Sequence, residues 1–520
     1  MRRGIVATLA ALALTSCAAN PGPPPLVEPE QREEPTSEPA EAPEDTRQRS
    51  QVQVGVDPIR AGFNPHLAGD ESAVVADIAD LVLPSAFRDG MRDNNVLLGA
   101  SRLPTTPGAL TVRYIIAPEA QWSDGTPITG ADFAYLWRGM TTTPGVVAPA
   151  GYRAISAVRV SGPAGKTVDV DFAEPVGQWR SLFSHLLPSH LLATDASDFA
   201  YALRNTVPAS AGRYLMADVD RGRGTVTLNR NDRFWGPDPA PIDIVTLVAA
   251  RDTTQTADQL RARQLAFVEA APGETTRDVF SLIDGVEVRV TPGPRTLGAV
   301  LSATSGLDTQ ARAELRSLID VPLLAHIASR RASDVTVAAH AYPQVGSVDA
   351  LRALATHRGP VKVAADATDP AAAAAARSLV DLLTRQGVPS RLVTSELHTI
   401  AGRGLPDGDV DVVVAWRYED TSQPALASRI ACPPPKARAG NLAGYCATDT
   451  DALAGAILAG AVPAADAAAR VGEIERDQVL WVPILHETRI AASSGVLPGG
   501  WPGSVASAGQ WRVPADTVKE

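Results

Sequence analysis

Several places in the sequence hold residue types that could do chemistry, and each is judged by its spacing. His486-Glu487 opens like the zinc-binding helix of a metalloprotease, where a second histidine four positions on puts both imidazoles on one helix face. Position 490 is Ile, and Val482 to Ile490 reads as a strand, so no zinc pair forms there. Gly165-Lys166-Thr167 ends like a phosphate-binding P-loop, but position 160 is Val where that motif needs Gly, and a strand rather than a helix follows. It reads as a hairpin turn. The eight histidines are scattered, with no i, i+4 pair. No constellation of nucleophile and base emerges, so the reading assigns no catalytic residue, no metal and no cofactor, and the chain is not expected to be an enzyme.

Binding leaves a different trace: aromatic rings beside polar groups at strand ends, where solute clefts stack and orient their ligands. Phe63 and Asn64 in an early loop are candidates, as are Trp416, Arg417 and Tyr418 after a strand at Val410 to Trp416, followed by Glu419 and Asp420. A guanidinium between two aromatics can hold a phosphate or a pair of sugar hydroxyls. The competing reading makes Phe63 core and Trp416 a cap on its sheet. Trp122 and Trp235 read as structural.

The first residues read as an export signal. Arg2 and Arg3 form a positive start, the apolar run Ile5 to Leu14 is too short to span a bilayer, and Leu14-Thr15-Ser16-Cys17 resembles a lipobox with Cys17 as the lipidated residue. Residues 18–50 are rich in Pro and Glu and read as a disordered tether. The expected location is the extracytoplasmic face of the cell membrane. Cys432 and Cys446 are then an even pair in an oxidising compartment, for which a disulfide is the default. The formal net charge of -11 argues against nucleic acid as a partner.

The remaining chain must position these groups, and it alternates strands with helices. Strands are predicted at Gln51 to Val56, Leu110 to Ile116, Ala157 to Val160, Thr167 to Phe172, Thr225 to Arg230, Gly298 to Ala303, Val361 to Ala364, Ser390 to Val393, and Val482 to Ile490. Helices are predicted at Ser72 to Leu83, Ala131 to Met140, Ser181 to Leu192, Thr309 to Ala328, Ala371 to Gln386, Asp451 to Ala459 and Ala464 to Leu480. Thr129 and Asp132 have capping-box spacing at the second of these. Texture changes after Pro292-Gly293-Pro294, giving a first lobe of 51–295, to which 486–520 returns, and a second lobe of 296–485.

Gly62-Phe63-Asn64-Pro65-His66, the block from Trp122-Ser123-Asp124-Gly125 to Phe133, and Arg230-Asn231-Asp232-Arg233-Phe234-Trp235-Gly236 resemble the peptide/nickel class of ABC-transporter solute-binding proteins, family 5. The resemblance implies an α/β, two-lobed periplasmic-binding-protein fold with an enlarged first lobe and a hinge. Within the family, Leu83 to Arg88, Tyr135 to Arg138 and Pro144 to Tyr152 resemble an actinobacterial lipoprotein subgroup. That subgroup implies binding or sensing of a phosphatidylinositol mannoside and regulation of lipomannan and lipoarabinomannan synthesis. Peptide importers of the family usually place an aspartate in a Gly-Asp-Pro-Asp-like turn after the strand that ends here at Trp416. This chain reads Arg417-Tyr418-Glu419-Asp420-Thr421 instead, with Glu419 or Asp420 as substitutes, and the departure weakens a peptide reading. The alternatives are a peptide-binding importer component and a non-binding interaction module. The implied partners are a small amphiphilic or peptide ligand, the membrane through the anchor, and an ABC permease or a membrane glycosyltransferase.

Overall fold

The computed structural model describes residues 49–104, 106–193, 199–338, 342, 345–435, 437–497 and 501–512. Cys17, the export signal and nearly all of the tether lie outside the described residues. From Arg49 onward the chain is one compact unit.

Its backbone is a ten-stranded sheet. From edge to edge it runs Ser390–Ser395, Val361–Asp366, Val412–Tyr418, Glu287–Leu301, Trp481–Ser493, Phe267–Ala270, Gln51–Val56, Ile244–Ala249, Thr225–Arg230, Tyr214–Asp220. Gln51–Val56 lies parallel to both neighbours, as strands joined by helical crossovers do. A four-stranded antiparallel sheet, containing Leu110–Ile116 and Thr167–Phe172, enlarges the first lobe.

Two long strands carry the chain between lobes. Glu287–Leu301 and Trp481–Ser493 pair antiparallel along most of their length, with a register shift between Pro292 and Thr296. The predicted strand Gly298 to Ala303 is therefore only the far part of a longer one, and Pro292-Gly293-Pro294 is a bulge inside it. Gly293 is required there by close approach: a Cβ would stand 2.6 Å from Glu487 Cγ.

Apolar side chains gather into two main cores. One joins Val54, Phe63, Trp122, Phe133, Phe183 and Phe267; the other joins Leu297, Leu315, Leu324, Val363, Leu379, Val412 and Ile484. Leu426, Ile430, Ile457, Leu458 and Val471 belong to the first core. The division expected at 295/296 groups them with the second lobe, but their helices pack back against the first.

Two predicted helices differ from the structure. Ser181 to Leu192 is only a short turn at Trp179–Ser181 and one helical turn at Ser189–Leu192. Pro188 interrupts it, Phe183 and His185 take positive φ, and their amides bond to Tyr152 Oη (2.8 Å) and Ser85 Oγ (2.9 Å). Thr309 to Ala328 is two helices, Thr309–Ser317 and Val321–Ser329. Pro322 cannot continue the first, and Asp320 caps the second by accepting from Leu323 N at 3.0 Å. Gly165-Lys166-Thr167 lies in the turn between two antiparallel strands, and Lys166 Nζ donates to Ala120 O at 2.8 Å.

Candidate functional site

The carboxyl ends of the central strands and the loop after Val56 enclose adjoining cavities. One of them, of about 400 Å³, is lined by Asp57, Glu71, Arg295, Asp369, Trp416, His486 and Glu487 among others. A second, of about 310 Å³, shares Ala68, Glu71, Ala415 and Trp416 with the first and continues past them. A third, of about 320 Å³, shares Asp70, Asp366 and Leu397 with the first. Each is within the size range of a small-molecule site, and the interior between the lobes is open rather than filled.

The floor of the first cavity is charged and paired. Arg295 donates to Glu487 through Nη2 (2.7 Å) and Nε (3.1 Å), and through Nη1 to Glu71 O at 2.8 Å. Its guanidinium stands 5.0 Å from the Trp416 ring centroid. Arg489, two residues along from Glu487, pairs with Asp57 and donates to Glu269 O. Burial disfavours charge on Arg295, but Glu487 outweighs it and holds the guanidinium protonated.

Three carboxyls nearby are pushed the other way. Burial, reinforced by Asp420 and Glu487 against the pull of Arg295, raises Glu71 to about 8. Burial and the neighbouring Glu269 raise Asp77 to about 7. Glu269 is itself raised, by burial first. At neutral pH the site therefore presents a protonated Glu71, able to donate a hydrogen bond to a hydroxyl or carbonyl oxygen.

The sequence candidates divide. Trp416, Arg417, Tyr418 and Asp420 all line the second cavity. Arg417 is engaged by Glu475 at 2.6 and 3.3 Å and lies 4.1 Å from the Trp481 ring centroid, so its aromatic partner is not one of its sequence neighbours. Asp420 spends its carboxylate on Ser422, accepting from N (2.7 Å) and Oγ (2.9 Å). Glu419 is exposed outside these cavities, held by its backbone N–H to Pro294 O.

Phe63 and Asn64 are corrected. Both are fully buried: Phe63 is core, and Asn64 donates to Phe199 O (2.9 Å) while accepting from His66 N (3.1 Å), which fixes the loop. Trp122 is fully buried and Trp235 Nε1 bonds to Asn95 O at 2.6 Å. Cys432 and Cys446 are bonded, and residues Gly440 to Ala443 of the loop they close form one wall of the second cavity.

Sequence reasoning missed Glu71, Arg295, Glu487 and Trp481. A signal existed for one of them: Glu487 and Arg489 are charges inside a strand whose flanks, Val482 to Leu485 and Ile490 to Ala492, are apolar, and buried charges come paired. Among the described residues no group of three His, Cys, Asp or Glu side chains is placed to hold a metal ion, and no helix is long and apolar enough to cross a membrane.

Comparison with known proteins gives this architecture its place. Residues 98–332 match the model of bacterial extracellular solute-binding proteins, family 5 Middle. Over 498 residues the chain is 32% identical to a Mycobacterium tuberculosis protein named "Probable monoacyl phosphatidylinositol tetramannoside-binding protein LpqW", covering 83% of this chain and 76% of that one. Over 280 residues it is 30% identical to the oligopeptide-binding protein OppA of Mycobacterium bovis, covering 51% of this chain and 46% of the relative. The oligopeptide-binding protein AppA from Bacillus subtilis, solved with a nonapeptide, superposes with a TM-score of 0.65 at 13% identity, over 89% of this chain and 99% of that one. The chain belongs to family 5 of the bacterial extracellular solute-binding proteins, in the subgroup of LpqW.

Proposed function

We propose that the chain is a lipid-anchored extracytoplasmic binding protein that holds or senses a phosphatidylinositol mannoside and thereby biases lipomannan and lipoarabinomannan synthesis, making and breaking no bond itself. Cys17 carries the anchor and residues 18–50 the tether. The body divides into a first lobe of 51–295 joined by 486–520, to which the helices within 423–477 add their core packing, and a second lobe from 296. The partner is a membrane glycosyltransferase or a permease.

The observation that carries this reading is the 32% identity to the LpqW relative over most of both chains. The cleft is compatible with it. Arg295 and Glu487 neutralise each other, Asp420 is committed to Ser422, and the protonated Glu71 suits a ligand rich in hydroxyls better than an ammonium. A peptide-binding importer component is the second reading, favoured by the 30% identity to OppA over half the chain. The open cavities speak against a module that has lost its cleft.

Native mass spectrometry of the purified protein with phosphatidylinositol mannosides and with mixed short peptides tests the proposal. A glycolipid adduct weakened by Trp416→Ala or Arg417→Ala supports it. Peptide adducts alone replace it with the importer reading.

A further inference from the structure

The second cavity differs in chemistry from the first, and the difference lies in how its polar residues are spent. Arg417 is engaged by Glu475 and stacked on Trp481. Arg429 donates to Tyr418 O (3.1 Å) and Asp420 O (2.9 Å). Asn441 donates to Ala431 O (3.0 Å) and Tyr445 O (2.8 Å) and accepts from Gly444 N (2.9 Å). With these groups turned to one another, the space itself is walled by Val146, Val300, Leu442, Ala443, Leu480 and the Trp481 ring. Hydroxyls or charges seated against these apolar walls would give up water without finding partners, which costs on the order of kilocalories per group. An apolar occupant would release water at no such loss.

Size and connection narrow the occupant further. Taking a water's share of liquid volume as about 30 Å³, the roughly 310 Å³ cavity has room for on the order of ten methylene-sized groups. It opens into the charged cavity across Ala68, Glu71 and Trp416 and so accepts one end of a molecule whose other end lies there. Polar hooks stand at its wall: among the described residues Arg417 Nε is buried without a hydrogen-bond partner, and Glu71 and Tyr418 also line the cavity, so an acceptor at the root of a chain, such as an ester carbonyl, finds a donor there.

We infer that the cavity behind Trp416, walled by Val146, Val300, Leu442, Ala443, Leu480 and Trp481, binds the alkyl chain of an amphiphile whose hydroxylated head occupies the adjoining charged cavity. This rests on the glycolipid reading for the head and adds the site, class and length of the tail. Its occupant is one chain of about ten carbons, and a longer chain leaves its end in solvent or membrane.

The test is a homologous series of n-alkyl mannosides from hexyl to tetradecyl, titrated below their micellar concentrations into the full protein and read by calorimetry. Affinity rises roughly three- to fourfold per methylene up to a chain of about ten carbons and then levels. Val147→Trp and Leu442→Trp, which fill the cavity from two different loops, each flatten the series, with melting temperatures recorded to confirm folding. A series without chain-length dependence, or one that neither substitution flattens, overturns the assignment, as does displacement of the alkyl chain by leucine-containing tetrapeptides. Deacylated phosphatidylinositol mannoside, the water-soluble head alone, is titrated in parallel. If it fails to bind while the chain-length dependence holds, the glycolipid reading falls and the tail site stands.

Discussion

Arg295 and Glu487 lie on different strands, 192 residues apart, and meet by two hydrogen bonds where those strands pass between the lobes. Both side chains are nearly inaccessible, 11% and 4% exposed. Removing Glu487 strands the Arg295 charge, so Glu487→Ala costs about 3 to 5 kcal/mol of stability, while Arg295→Ala costs less, because Arg489 stands 3.8 Å from the Glu487 carboxylate. Replacing both with Met and Leu costs much less, because no uncompensated charge is left. Denaturant unfolding of the three variants reads this directly, and equal losses in all three would show that the pair contributes through packing rather than charge.

Gly293→Ala attacks the same contact from the backbone. The added Cβ would meet the Glu487 carboxylate, whose oxygen and carbons lie within 2.6 to 2.8 Å of its position. Glu487 must then move off Arg295. The expected result is a loss of stability that largely disappears when Gly293→Ala is made in the Arg295→Ala, Glu487→Ala background, where no γ-carbon is left to clash, seen as non-additivity in a double-mutant cycle.

Glu71 gives a pH signature of defined sign. Its ordinary value is 4.5 and burial holds it at about 8 in the folded protein, so between these the folded state keeps a proton that the unfolded state has lost. Its contribution is full below pH 4.5, falls as pH rises toward 8, and is constant above. Glu71→Gln removes this dependence. Melting temperatures from pH 5 to 8.5 should show the variant gaining on the parent as pH rises, and parallel curves would refute the buried neutral carboxyl.

Much of the frame was legible in local chemistry. Thr129 and Asp132 form the expected capping box, with Thr129 N donating to Asp132 Oδ2 at 2.9 Å, and Thr225–Arg230 is a strand with the predicted bounds. Those signals sit within a few residues of one another. The second cavity did not have that advantage: Trp416 and Arg417 could be named from ring and charge at a strand end, but Trp481, Glu475 and Leu442 reach them from separate segments. Phe63 could be offered both for a cleft and for the core, and Asn64 for a cleft, because an aromatic beside an amide looks alike whether it faces a cleft or anchors a loop. The helix expected at Ser181 to Leu192 failed because Tyr152, Ser85 and Pro84 satisfy its backbone amides from elsewhere in the chain.

The Cys432–Cys446 bond closes a loop of sequence separation 14 whose Gly440 to Ala443 wall the apolar cavity. Ala443 O accepts from Ala303 N at 2.8 Å, tying the loop to the segment after the long strand. Cys432→Ser with Cys446→Ser should lower stability by about 3 kcal/mol, as expected for a loop of this length. The same variant should weaken binding of decyl mannoside more than that of hexyl mannoside. Equal weakening would mean that the loop supports the fold without shaping the cavity.

At the rim of the third cavity two contacts join segments nearly 200 residues apart. Tyr201 Oη lies 2.7 Å from His398 Nε2, and Arg204 Nη2 pairs with Glu396 Oε1 at 2.5 Å while its guanidinium stands 5.2 Å from the Tyr201 ring centroid. Arg204 is 51% exposed and Glu396 36%, so solvent limits such a pair to at most about 1 kcal/mol. That is small against the stability of the fold, yet about 1 kcal/mol corresponds to a change of about fivefold in an open-to-closed equilibrium of the two lobes. Tyr201→Phe combined with Arg204→Ala should leave the melting temperature within a degree or two and raise the radius of gyration of the unliganded protein in small-angle scattering. An unchanged radius with an unchanged melting temperature would show that the hinge strands, and not these rim contacts, set how far the lobes open.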